Sequence, residues 1–150
     1  MALAAIRGWR AGGIRQTSVP SALDQELSVA KSKYSPGPAL KSETRTYLVA
    51  GQDIKATAKG LDGTGKPFTA EWTVNYDGKD RPQTRNPDAD ALSLKRIDGF
   101  TAAFTQKWAG KVVITGTRTI SRDGKVMTIT TKGTNAQGQT INNVEVFEKR

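Results

Sequence analysis

From Asp53 onward the chain alternates apolar and polar residues with a period of two. In 53–60, Ile54, Ala56 and Ala58 fall on one side and Lys55, Thr57 and Lys59 on the other. In 67–76, Phe68, Ala70, Trp72, Val74 and Tyr76 share one side against Thr69, Glu71, Thr73 and Asn75. Segment 100–108 groups Phe100, Ala102, Phe104, Gln106 and Trp108, and 126–132 sets Met127 and Ile129 against Thr128 and Thr130. Segments 111–120 and 141–149 are rich in β-branched residues and also suit strands. Successive side chains of a pleated strand point to opposite faces, so each run predicts a half-buried strand. No amphipathic pattern is long enough to predict a helix of more than two turns.

Asp-Gly pairs at Asp62-Gly63, Asp77-Gly78, Asp98-Gly99 and Asp123-Gly124 punctuate these runs. Glycine supplies positive φ without a steric penalty, so the pairs predict tight two-residue hairpin turns. Further corners are expected at 109–110 and 135–139. Corners therefore recur every ~10 to 15 residues, the spacing of an antiparallel meander. A meander of about eight to ten strands closes most naturally into an up-and-down barrel, which removes exposed edges. A sandwich is the alternative. The one long irregular stretch is 77–90, with Pro82 and Pro87.

The expected organisation is one all-β barrel domain over residues 24–150, preceded by a tail over residues 1–23. The tail carries Arg7, Arg10 and Arg15 and no acid. Arg7 and Arg10 interrupt the apolar core that a secretory signal needs, and the composition is closer to a transit peptide or a disordered start.

Composition narrows the chemistry. The chain has 150 residues, enough for one domain with a real core. It has neither cysteine nor histidine. Disulfides, thiolate metal sites, a Ser-His-Asp triad and a histidine zinc site are all excluded. No metal or cofactor is expected, and no catalytic residue is assigned. No run of about 18 apolar residues predicts a membrane-spanning helix. The net charge of +9 invites polyanion contact, but the basic residues are spread singly among strands. Specific nucleic-acid binding is therefore not expected, and a monomer is favoured.

Two stretches resemble phosphate and calcium loops. "GLDGTGKP", Gly60 to Pro67, approaches a phosphate-binding loop but places Pro67 where Ser or Thr must follow Lys66, so a hairpin is expected. "NPDADALS", Asn86 to Ser93, spaces Asn86, Asp88 and Asp90 like a calcium loop, but the sixth position is Ala91 and the twelfth Ile97. The carboxylates open to hydrolytic chemistry are Asp88, Asp90, Glu71 and Glu145, with nothing in the pattern to bring two together.

A barrel of eight or more strands can enclose one small ligand. Its lining is expected to include Trp72, Tyr76 and Phe104. Arg96 follows Leu92 and Leu94, and Arg118 follows Ile114 and Gly116, on apolar-facing registers. An inward arginine is unfavourable unless it meets an anion, so either is a candidate anchor for a ligand carboxylate. The alternative is that each reaches water at a strand end or pairs with a glutamate.

The stretches "AKSKYSPGP", "NYDGKD", "NPDADALSLKRID" and "KGTNAQGQTINNVEVFEK" resemble a family of uncharacterised bacterial proteins with a lipocalin-like domain. The likeness extends over about residues 29 to 149. It implies a calycin-type barrel in the periplasm or secreted, with no defined activity. "QKWAGK", Gln106 to Lys111, and the closing "VFEK" are similar to fatty-acid-binding proteins, where an inward Arg and Tyr near the C-terminus hold the ligand carboxylate. The matching positions are Glu145 and Phe147. Glutamate repels a carboxylate and phenylalanine has no hydroxyl, so a cationic, neutral or apolar ligand fits Glu145 better. The leading expectation is a carrier of a small, partly apolar ligand. The alternatives are a cell-envelope protein whose basic exterior contacts anionic partners, and an enzyme using carboxylates.

Overall fold

A computed structural model describes residues 22–83 and 86–150. Ten strands follow one another: β1 (Ala22–Leu27), β2 (Ser42–Ala50), β3 (Asp53–Leu61), β4 (Pro67–Val74), β5 (Arg81–Pro82), β6 (Ala91–Arg96), β7 (Thr101–Trp108), β8 (Lys111–Ile120), β9 (Val126–Thr134) and β10 (Thr140–Lys149). All neighbours are antiparallel, in the order β4-β3-β2-β1-β10-β9-β8-β7-β6-β5. Consecutive strands are adjacent throughout, and β1 pairs with β10. Two isolated bridges, Trp72 to Gln83 and Asp77 to Lys95, link the two ends of the sheet. The result is an all-β, nearly closed up-and-down barrel, compatible with a calycin-like fold, with no helix among the described residues.

The seam lies where the sequence is irregular. Pro82 has no N–H to give to a ladder, and β5 extends for only two residues. The predicted strands from Asp53 to Lys149 appear with nearly their expected bounds. Leu92 and Leu94 are buried on β6, as their register required. β2 was not expected. Its inward positions are Glu43, Arg45, Tyr47 and Val49, so charge replaces the apolar alternation that marks a strand. The barrel begins at Ala22, two residues before the expected boundary, and the remainder of the expected tail lies outside the described residues.

Face assignments follow the alternation. Ile54, Ala56, Ala58 and Val74 are buried, while Lys55, Lys59, Glu71 and Thr73 face solvent. Phe100 and Trp108 depart from it. Trp108 is 51% exposed, at the rim, just beyond a register shift between Gln106 and Lys107. A solid core of Leu27, Tyr47, Ile54, Val74, Ile120, Met127 and Phe147 fills one end of the barrel.

The Asp-Gly corners work differently from the expectation. Gly78 and Gly124 have φ of 76° and 75°, but Gly63 and Gly99 do not adopt positive φ. What the four corners share is the aspartate. Its Oδ1 accepts the backbone N–H two residues on: Thr64 at 2.9 Å, Lys79 at 2.9 Å, Phe100 at 2.8 Å and Lys125 at 3.0 Å. These are Asx turns. Hydrogen bonds to the ionised form hold all four carboxyls below their usual range, led by the Thr64 hydroxyl at Asp62 and the Ser121 hydroxyl at Asp123, and by the Lys79 and Phe100 amides at Asp77 and Asp98. The two-residue turns are instead Gly51-Gln52 and Ala109-Gly110. The loop-like stretch ending in Lys66 is the β3–β4 hairpin, closed by the Asp62 N–H on the Lys66 carbonyl.

Candidate ligand-binding site

Above the solid end, the interior opens into a cavity of about 620 Å³. It faces the end of the barrel that carries the β1–β2, β3–β4 and β5–β6 connections, with Pro38, Asp62 and Asp88 at the rim. The void follows from small inward residues on facing strands. Ala58 pairs with Ala70 across β3 and β4, and Thr131 with Asn143 across β9 and β10. Gly116 on β8 lies opposite Phe104 on β7. A Cβ at Gly116 would lie 2.4 Å from the Phe104 ring, so only glycine leaves the ring its place in the wall.

One wall is a charged cluster. Arg45 donates from Nε to Glu43 Oε2 at 2.7 Å, and its Nη2 lies 2.7 Å from the same oxygen in an ion pair. Its guanidinium lies over Trp72 at 5.2 Å and over Phe147 at 4.7 Å from the ring centroids. Glu145 accepts the Tyr34 hydroxyl at 2.6 Å. Tyr34 reaches it because the chain beyond β1 rejoins β10, where the N–H of Lys33 and the carbonyl of Val144 meet at 2.7 Å. Burial pushes the Glu145 carboxyl up and Glu43 adds to this, against the opposing pull of Arg45 and the Tyr34 bond. Burial, and then the Glu145 charge, push the Tyr34 phenol well above its ordinary value.

Further round the same wall, β8 carries Arg118, which is 6% exposed. Glu145 and Arg118 both pair in register with Ile129, so their strands flank β9, about 10 Å apart. Arg118 Nη2 donates to the Tyr76 hydroxyl. The guanidinium lies over Tyr47 at 5.3 Å and over Tyr76 at 5.6 Å from the centroids. Its Nε is buried with no hydrogen-bond partner among the described residues. Burial pushes the Tyr76 phenol up to about 12, against the opposing pull of Arg118.

Of the residues named from sequence, Trp72, Phe104, Arg118 and Glu145 line the cavity. Tyr76 sits behind Arg118. Phe147 is fully buried, beneath Arg45 in the core. Arg96 is a correction. It is exposed at the end of β6 and donates from Nε to the Asp98 carbonyl at 3.0 Å, outside the cavity. Its strand ends there, so the side chain leaves by the rim. Tyr34, Glu43, Arg45 and Tyr47 were not anticipated. The signal was the alternation Glu43, Arg45, Tyr47 against Thr44, Thr46, Leu48, legible only by allowing a charged inner face. Of the acids considered for hydrolysis, Asp88 at the rim and Glu145 within line the same cavity, while Glu71 faces solvent; Asp88 accepts the Ala136 N–H and Asp90 the Ala109 N–H.

Compared with known proteins, no family model matches the chain and no curated protein matches it significantly. The class that fold and site define is an antiparallel β-barrel with one packed end and one open, aromatic and charged end.

Proposed function

We propose that the protein is a non-catalytic binding barrel for a small, partly apolar molecule. The observation that carries this reading is the cavity. At about 620 Å³ it falls in the range of small-molecule sites, ~300 to 1,000 Å³, and it combines apolar walls with a few placed polar groups. The packed lower half supplies a rigid base, so the upper walls need not be filled for the barrel to stand. Burying about 200 Å² of apolar ligand surface contributes about 5 kcal/mol before association costs, enough for weak to moderate affinity. The lipocalin-like kinship suggested by the quoted stretches agrees with this reading.

The test is the mass of the gently purified full chain by native mass spectrometry, repeated under denaturing conditions. A mass excess that disappears on denaturation supports the reading and narrows the ligand's chemistry. An empty barrel that also fails to be stabilised thermally by any apolar probe of suitable size overturns it.

A further inference from the structure

We infer that the cavity selects an amphiphile with a single anionic head, in the first instance a carboxylate, and that Arg118 on β8 is its anchor. The inference rests on the binding-barrel reading and deepens it. Its basis is the local imbalance of charge around Arg118. Two guanidiniums line the cavity, Arg45 and Arg118, with Glu43 and Glu145 beside Arg45 and Tyr34, and Asp62 and Asp88 at the rim. Arg45 is paired with Glu43, by an Nε hydrogen bond and an Nη2 ion-pair contact, both at 2.7 Å. Arg118 forms no ion pair among the described residues, although it is 94% buried by its 6% exposure. Its contacts are the hydroxyls and rings of Tyr76 and Tyr47, both formally neutral, and its Nε donor has no partner there.

An unpaired buried cation is strongly unfavourable, and removing the charge from such a site commonly stabilises a protein. A fold that retains one, with its guanidinium fixed between Tyr47 and Tyr76, is organised for a charge that arrives from outside. A guanidinium offers a planar fork that matches a carboxylate with two parallel donors. Glu145 does not oppose this. It is turned to Tyr34 and lies across β9 from Arg118, and burial raises its carboxyl. The body of the ligand then lies along Trp72, Phe104 and Leu94 toward the mouth. Tyr76 is a positioning residue, holding the guanidinium from behind.

The test is isothermal titration of the full chain with four probes: 2-naphthoate, decanoate and their neutral alcohols, 2-naphthalenemethanol and decanol. At least one acid is expected to bind about tenfold or more tighter than its alcohol, the discrimination of a charge-assisted pair. The arms separate the sources of the head group, an aromatic acid from an alkyl one. Arg118→Met is expected to weaken the acid by about tenfold or more while changing the alcohol by less than about threefold. Arg118→Lys keeps the charge and loses the fork, and is expected to fall between the two. Tyr76→Phe is expected to reduce the acid-over-alcohol preference without weakening the alcohol, which a purely structural role would not do. Acid and alcohol binding equally well would overturn the anion site and leave the carrier reading standing. Neither class binding at all would overturn both.

Discussion

Gly116→Ala tests the geometry of the cavity wall most directly. Gly116 does not have positive φ, so alanine meets no backbone strain there. The penalty is steric alone. The added Cβ would lie 2.0 Å from the Thr130 carbonyl oxygen, 2.4 Å from Phe104 Cζ and 2.7 Å from Phe104 Cε1. Contacts this short require β8 and β9 to separate and the ring to leave the wall. Overpacking a well-filled site costs about 1 to 3 kcal/mol, and two clashes at once place this change at the top of that range. Phe104→Ala alone loses a large, partly buried ring and costs about 2 to 3 kcal/mol, below the cost for a fully buried phenylalanine. In the double variant the ring clash is gone and only the Thr130 contact remains. The two losses therefore sum to more than the double variant shows, by about 1 kcal/mol or more. Urea denaturation at pH 7 of the four proteins, with the slope monitored for a constant transition, provides the cycle. A Gly116→Ala variant within about 0.5 kcal/mol of the parent, the range of a neutral surface change, would refute the assigned pairing of Gly116 with Phe104. Strictly additive losses would refute the ring contact while leaving the backbone contact intact.

Glu145 sits with its carboxyl pushed above the ordinary value by burial, so the folded protein holds a proton that the unfolded chain releases. Its contribution to stability is thus present at low pH and lost as pH rises through the raised folded value. Denaturation midpoints at pH 5 and pH 8 are expected to differ less in Glu145→Gln than in the parent protein, and an unchanged difference would remove Glu145 as the cause. Asp62 behaves oppositely, because its bonds from Thr64 and Lys66 hold it below its ordinary value. Asp62→Ala is expected to lower Tm at pH 7 and to lower it less at pH 3, because the contribution of the ionised carboxylate is lost as pH falls through its lowered folded value. Equal losses at the two pH values would make the turn independent of ionisation. Ala109 has φ of 51°, a conformation that asparagine tolerates better, and it precedes Gly110 at 83° in a two-residue turn. Ala109→Asn is expected to stabilise by about 0.5 kcal/mol in the same denaturation assay, and a loss of stability would refute the turn assignment.

Much of the barrel was legible because the period of two is a local property. Ile54, Ala56 and Ala58 on β3, or Phe68 to Val74 on β4, declare an inner face without reference to any neighbour. Turn chemistry is equally local, and the four Asp-Gly pairs marked true corners. Glycine is not what closes all four, because a carboxylate that accepts the N–H two residues on closes a turn whether or not glycine adopts positive φ. β2 escaped notice for the converse reason. Its inner face carries Glu43 and Arg45, which become tolerable inside a protein only when they meet each other and the rings of Trp72 and Phe147.

The sequence by itself determined that this chain builds antiparallel strands of alternating character, with corners at regular intervals and without thiol or imidazole chemistry. It also placed Arg118 on an inward register. Only the tertiary structure decided that Arg96, on an equally inward register, escapes at a strand end while Arg118 is enclosed. It alone decided that Glu43 neutralises Arg45 and that Tyr34 turns Glu145 aside, leaving Arg118 without an acid. Register along one strand fixes which way a side chain points. Which charges meet across the barrel depends on residues up to 111 positions apart, as Tyr34 and Glu145 are, and those partners are set by closure of the sheet.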